Sequence, residues 1–253
     1  MNQRLLQSCA SSTKTRSSSD TLVVSECFAS IQGEGRLTGV PSFFIRLAGC
    51  NLRCSWCDTP HSSWQPEGEQ QSIQNLTARA RASGLQHVVI TGGEPMIFEP
   101  LAALTKQLQQ ANLHVTIETA GTVYQELTCD LMSISPKLAN STPELDDARD
   151  PGGRWHVLHE RRRLNRDVLQ RLIDRHSCRQ FKFVVVSPRD LEEIDAILLQ
   201  VSDWCPGDIM LMPEGVEGLR ACDAQWIVQE CLARNWRFCC RLHIELFGNV
   251  PGT

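Results

Sequence analysis

Three cysteines, Cys50, Cys54 and Cys57, stand at the spacing C-x3-C-x2-C directly after the apolar run Phe43 to Leu47, which reads as a strand. Cysteine thiolates are the usual protein ligands of iron–sulfur clusters. A cubane cluster takes four ligands, so three close cysteines leave one iron open to bind something else. The alternative is a zinc knot with His61, four residues past Cys57, as its fourth ligand. The apolar strand before the loop and the sequence after it favour the cluster. A disulfide is not expected, because no secretory signal is present.

Three further stretches carry residues suited to chemistry. Gln32-Gly33-Glu34-Gly35 places one glutamate between two glycines, a backbone that can turn sharply and approach a ligand closely. Thr91-Gly92-Gly93-Glu94-Pro95 ends a buried strand. A glycine pair there exposes backbone groups to a small polar ligand at the carboxyl edge of a parallel sheet. Ser135-Pro136-Lys137 ends another strand and sets a hydroxyl and a cation at the same edge.

These stretches need a scaffold, and the hydrophobic pattern supplies one. Strands are expected at Thr21 to Ala29, His87 to Ile90, His114 to Glu118, Leu131 to Ser135, Gln180 to Val186, Ile209 to Met212 and Phe238 to Leu246. Helices are expected at Ser72 to Ser83, Leu101 to Gln110, Asn165 to His176, Leu191 to Val201 and Glu217 to Arg234. Alternating strands and helices argue an α/β fold with a parallel sheet and right-handed crossovers. About six core strands are too few to close an eight-stranded barrel, so a partial barrel, open on one side, is expected. Residues 1–20 are polar and serine-rich and read as a disordered tail. Residues 21–253 form the core domain, with an irregular insertion at about 138–163 rich in Pro, Gly and acids.

The chain has 253 residues, 42% of them apolar, and a net charge of −4. That balance gives no support for nucleic-acid or membrane-surface binding, and no apolar run is long enough to span a bilayer. Of twelve cysteines, the nine outside the motif are scattered without repeated spacing. They read as free thiols in a reducing cytoplasm, mostly small buried hydrophobes. Cys239 and Cys240 are adjacent in the last expected strand, so they point to opposite faces and cannot readily share a metal.

The C-x3-C-x2-C spacing resembles the radical S-adenosylmethionine (SAM) superfamily, and the Gly-Gly-Glu-Pro segment about forty residues later strengthens the likeness. Within it, Ile31-Gln32-Gly33-Glu34-Gly35, Phe44 to Leu52, Trp56-Cys57-Asp58-Thr59, Thr91 to Pro95, Glu118 to Thr122 and Ser135-Pro136-Lys137 together resemble the 7-carboxy-7-deazaguanine synthase family. The match runs from about residue 25 to 137 and resumes at Gln180 to Val186 and at Leu242 to Asn249.

The resemblance implies a lyase that converts 6-carboxy-5,6,7,8-tetrahydropterin to 7-carboxy-7-deazaguanine with loss of ammonia, on the way to queuosine, a tRNA modification. It implies a 4Fe-4S cluster on Cys50, Cys54 and Cys57, and SAM held by Gly93, Ser135, Pro136 and Lys137. It implies magnesium at Thr59, and a pterin pocket of Ile31, Gln32, Gly33, Arg46 and Thr91. The planar fork of Arg46 suits the substrate carboxylate. His243 is either a further substrate contact or a core histidine on the last strand. Glu34 and Glu94 are expected as polar residues of the pocket. The family also implies a homodimer and an electron donor such as flavodoxin or ferredoxin. Two alternatives share the cysteines: another radical SAM enzyme, such as a glycyl-radical activating enzyme, and a non-enzymatic cluster or zinc module.

Overall fold

The computed structural model describes residues 20–253 apart from Arg220, with the side chains of residues 221–223 also outside the description. All but the last residue of the expected tail therefore lies outside the described residues. The chain opens with a hairpin. Strand β1 (Thr21–Ile31) runs antiparallel to β2 (Pro41–Leu47), and the glycine-bearing segment connects them. A short strand β3 (Glu69–Ser72) pairs with the other edge of β1. Strands β4 (His87–Gly92), β5 (His114–Thr119), β6 (Leu131–Ile134), β7 (Arg179–Val185), β8 (Ile209–Pro213) and β9 (Arg237–Phe238) then add in sequence order, all parallel to β2. The order is β3-β1-β2-β4-β5-β6-β7-β8-β9. β3 and β9 end it without pairing to each other, so the sheet is an open partial barrel.

The helices that cross between strands follow their apolar stripes. Helix α1 (Pro60–Ser63) is a single turn after the cysteine loop. α2 (Ile73–Ala82) buries Ile73, Leu76 and Ala80, and the Ser72 hydroxyl caps it by accepting from Asn75 N–H. α3 (Leu101–Gln110) buries Leu101, Leu104 and Leu108. α4 (Arg154–Arg162) follows, then α5 (Arg166–Arg175), capped by Asn165. α6 (Asp190–Leu198), α7 (Ala221–Arg234) and α8 (Leu242–Phe247) complete the chain.

Side-chain alternation divides the sheet into two faces. Ile45, Ile90, Ile117, Ile134, Phe183 and Leu211 belong to the main core beneath the helices. Their neighbours Arg46, Thr91, Glu118, Ser133 or Ser135, Lys182 and Met212 face the other way and line a cavity inside the sheet. The apolar face stabilises the scaffold, and the polar face is left for a ligand.

Two expectations need correction, and one strand is unforeseen. The last strand is only Arg237–Phe238, and Leu242–Phe247 is helical. Arg241 to Leu246 alternates polar and apolar residues as a strand would, but contact with the hairpin sets the final turn: Leu242 N–H donates to Gly33 C=O at 2.9 Å. His243 therefore sits on a helix, and Cys239 and Cys240 lie in the loop before it. The 138–163 segment is not irregular throughout, since it contains a single helical turn at Ala139–Ser141 and the nine-residue α4. Strand β3, Glu-Gln-Gln-Ser, has no apolar alternation and gives no strand signal.

Candidate active site

The cysteine loop runs from the end of β2 to α1, and Cys50, Cys54 and Cys57 all line the cavity, whose volume is about 410 Å³. All three are free thiols. Leu52 N–H donates to Cys50 Sγ at 3.3 Å, and Ser63 Oγ lies 3.1 Å from Cys57 Sγ. Burial pushes the Cys50 thiol up to about 12 and that of Cys54 further still. Buried thiols of this kind become ligands only when a cation replaces their protons. His61 does not join them, because its Nε2 faces Glu26 Oε1 at 3.7 Å. Among the described residues no group of His, Cys, Asp and Glu is gathered closely enough to hold a single metal ion. A cubane is larger than one ion and holds its cysteines further apart. Three unpaired sulfurs on one loop around one cavity suit it.

The carboxyl ends of β4 to β6 form the adjoining wall. Gly93 is there because nothing larger fits: a Cβ would stand 2.2 Å from Gly49 O and 2.7 Å from Cys50 Cβ. Gly92 has φ +141°, and its own Cβ would stand 2.2 Å from Leu47 O. Ser135 and Lys137 line the cavity, and Lys137 Nζ donates to Ser135 C=O at 2.7 Å and to its Oγ at 2.8 Å. Pro136 is buried between them and does not line the cavity. Glu94 does not line it either. Its carboxylate accepts from Thr119 Oγ1 (2.7 Å), Ala120 N–H (2.7 Å) and Met96 N–H (3.0 Å), and so ties the end of β4 to the end of β5.

Opposite lies a charged network built around Glu118. Its carboxylate accepts from Gln32 Nε2 at 3.2 Å and Thr91 Oγ1 at 3.0 Å, with Lys182 Nζ 3.5 Å away. Lys182 also bonds Glu34 Oε2 at 2.5 Å, and Arg241 Nε lies 3.4 Å from Glu34 Oε1. Burial alone would raise the Glu34 carboxyl, but Lys182, Arg241 and His243 outweigh it and hold it at about 2. Burial likewise opposes the Lys182 charge, yet Glu118 and Glu34 raise its proton affinity above the ordinary lysine value. Glu34 and Lys182 are therefore an ion pair at neutral pH.

Arg46 sits at the rim, its Nε donating to Glu26 at 2.5 Å. Neither terminal nitrogen of that guanidinium has a hydrogen-bond partner among the described residues. Thr59 Oγ1 lies 3.5 Å from Asp58 Oδ1 and faces the cavity, as do Ile31, Gly33 and His243. The structure thus brings every expected site residue except Pro136 and Glu94 to one cavity.

Sequence reasoning missed Lys182, Arg241, Glu26 and the central role of Glu118. A signal for Lys182 existed: it is a charge in the middle of strand β7, between Phe181 and Phe183 and on the opposite face.

This architecture is shared with known proteins. Residues 44–175 match the Radical SAM superfamily. The solved structure of TYW1 with a lysine-pyruvate adduct bound shares the fold at a TM-score of 0.53 and 14% identity, over 77% of this chain and 72% of that one. An open parallel barrel with a three-cysteine loop at its carboxyl edge thus makes the chain a radical SAM protein. A 7-carboxy-7-deazaguanine synthase from Rhodopirellula baltica is 45% identical over 94% of this chain and 91% of its own. One from Halobacterium salinarum is 38% identical over 92% and 93%. The crystal structure of QueE from Escherichia coli superposes with a TM-score of 0.67 at 30% identity, covering 88% of this chain and 95% of that one. The chain belongs to the 7-carboxy-7-deazaguanine synthase family.

Proposed function

We propose that the cavity converts 6-carboxy-5,6,7,8-tetrahydropterin to 7-carboxy-7-deazaguanine with loss of ammonia. The observation that carries this is one cavity joining the three-cysteine loop to the Gln32–Thr91–Glu118–Lys182 network. Cys50, Cys54 and Cys57 would hold the 4Fe-4S cluster, and Gly93, Ser135 and Lys137 would hold SAM beside it. Pro136 fixes the backbone between the last two. When bound, the cluster and SAM would together supply the radical chemistry that starts the reaction.

The chain's own residues bind and orient the pterin. Glu118 presents a carboxylate to the ring N–H donors, aimed by Gln32 and Thr91 with the Lys182 ammonium beside it. Arg46, fixed through Nε by Glu26, offers its terminal nitrogens to the substrate carboxylate as a fork. Ile31, Gly33 and His243 close the ring's flank. Thr59, beside the Asp58 carboxylate, provides oxygen donors of the kind magnesium prefers. An electron donor such as flavodoxin or ferredoxin would supply the electron the cluster needs, with the chain working as a homodimer in the cytoplasm. No helix among the described residues is long and apolar enough to cross a membrane.

The test is incubation of the reconstituted protein with SAM, reductant, magnesium and the carboxytetrahydropterin. The deazapurine acid is expected. SAM cleavage without that product would contradict the substrate and retain the class.

A further inference from the structure

The 138–163 segment forms the second wall of the cysteine loop. Residues 48–59 contain no regular element, so their peptide groups need partners from elsewhere. Several come from this segment. Arg53 N–H donates to His159 Nδ1 at 3.1 Å, and Ser55 N–H donates to Ser141 C=O at 2.8 Å. Arg162 reaches Asn51 C=O at 3.3 Å, and Trp56 Nε1 donates to Asn140 C=O at 3.0 Å.

The first two bonds differ from the rest in position and burial. Arg53 and Ser55 are the residues on either side of Cys54. His159 and Ser141 are both fully buried. Their protons can be accounted for completely. A peptide N–H can only donate, so Nδ1 of His159 is bare and its proton sits on Nε2. Ser141 Oγ gives its own proton to Leu138 C=O at 2.6 Å, and therefore accepts from Nε2–H at 2.9 Å. The imidazole is thus neutral, in one tautomer, with both nitrogens used. Water cannot replace either bond without entering the packed interior.

We propose that His159 is a positioning residue for Cys54: it holds the Arg53 peptide directly and, through Ser141, steadies the peptide of Ser55. The role rests on Cys54 being a cluster ligand, as assigned above. Helix α4 thereby acts as a clamp that keeps the most buried thiol of the loop in place before and after iron arrives.

Three substitutions separate hydrogen bonding from packing. In His159→Asn the side-chain amide sits where Nδ1 was and can still accept from Arg53. In His159→Gln it sits nearer the Nε2 position, and His159→Phe keeps a ring without either bond. Two quantities are measured: amide hydrogen exchange at Arg53 and Ser55 in the reduced full-length chain, and the rate of iron loss to a chelator from the reconstituted holoenzyme. His159→Gln and His159→Phe should speed Arg53 exchange and iron loss by about tenfold or more, the scale of one lost buried hydrogen bond. His159→Asn should stay close to the parent at Arg53. Unchanged protection in His159→Phe, or equal effects of Asn and Phe, would overturn the proposal. If a His159 variant does not fold, Ser141→Ala serves: faster Arg53 exchange is expected, and unchanged exchange would overturn it. Cys54→Ala distinguishes the two levels of failure. A full cluster in that variant would remove the ligand assignment itself. Cluster loss there, with protection and iron retained in His159→Phe, would remove the role of His159 alone.

Discussion

Lys182 joins the two carboxylates of the cavity's charged network, Glu34 and Glu118. It stands with 4% of its side chain exposed between Glu34 and Glu118, and both carboxylates depend on it. Removing one partner of a buried pair leaves the other charge without compensation, which costs about 3–5 kcal/mol. Lys182→Met is therefore expected to lower stability on that scale in denaturant unfolding, and Lys182→Met/Glu34→Gln should recover part of the loss. No recovery in the double variant would show that the ion pair is not the source. At the rim, Thr59→Ala should abolish magnesium stimulation while leaving the iron content unchanged, and unaltered magnesium dependence would remove Thr59 from that role. The two residues differ in how far the sequence exposed them. Thr59 stands two residues after the third cysteine, within the motif that carries the family resemblance. Lys182 lies 148 residues from Glu34, and only the parallel sheet brings them together.

At the scale of elements, the decisive contact is between the end of β4 and the cysteine loop. Gly93 N–H donates to Leu47 C=O at 3.2 Å and Glu94 N–H to Gly49 C=O at 2.9 Å, which fastens one to the other. Gly93→Ala would push a methyl group into Gly49 and Cys50. Overpacking of this kind costs about 1–3 kcal/mol. The variant is expected to unfold at lower temperature and to bind SAM weakly, and unchanged SAM affinity in a binding titration would argue against Gly93 as part of that site. Most of these elements were legible beforehand, because long buried strands such as β4 and β7 and amphipathic helices such as α3 declare themselves by period. The C-terminal turn was not, since polar and apolar residues alternate from Arg241 to Leu246 as they would in a strand. The 138–163 segment was legible as a break in the pattern. Its purpose was not, because hydrogen bonds from His159 and Ser141 to a loop about ninety residues away leave no local trace.

For the molecule as a whole, the closed end of the barrel and its open cavity respond to acid differently. Below the cavity, His87 is buried and bonds Ser42 Oγ at 2.7 Å and Thr116 Oγ1 at 2.8 Å, joining β2, β4 and β5. Burial, helped by His114, lowers its proton affinity from the ordinary 6.5 to about 4. Its folded value lies below its unfolded one, so its contribution to stability is complete above pH 6.5 and is lost as pH falls through 4. Glu34, held at about 2 against an ordinary 4.5, contributes fully above pH 4.5 and loses that contribution only as pH falls towards 2. Thermal midpoints should therefore begin to fall between pH 6.5 and 4, and His87→Gln should flatten that part of the curve. An equal slope in the variant would exclude His87 as the cause. The open end is where the central claim lies, and electron paramagnetic resonance of the anaerobically reconstituted, reduced chain tests it most directly. A cubane signal that shifts on addition of SAM, and is lost in Cys54→Ala, is predicted. A silent, zinc-loaded protein, or a cluster signal indifferent to SAM, would contradict the open iron site on which the proposed chemistry depends.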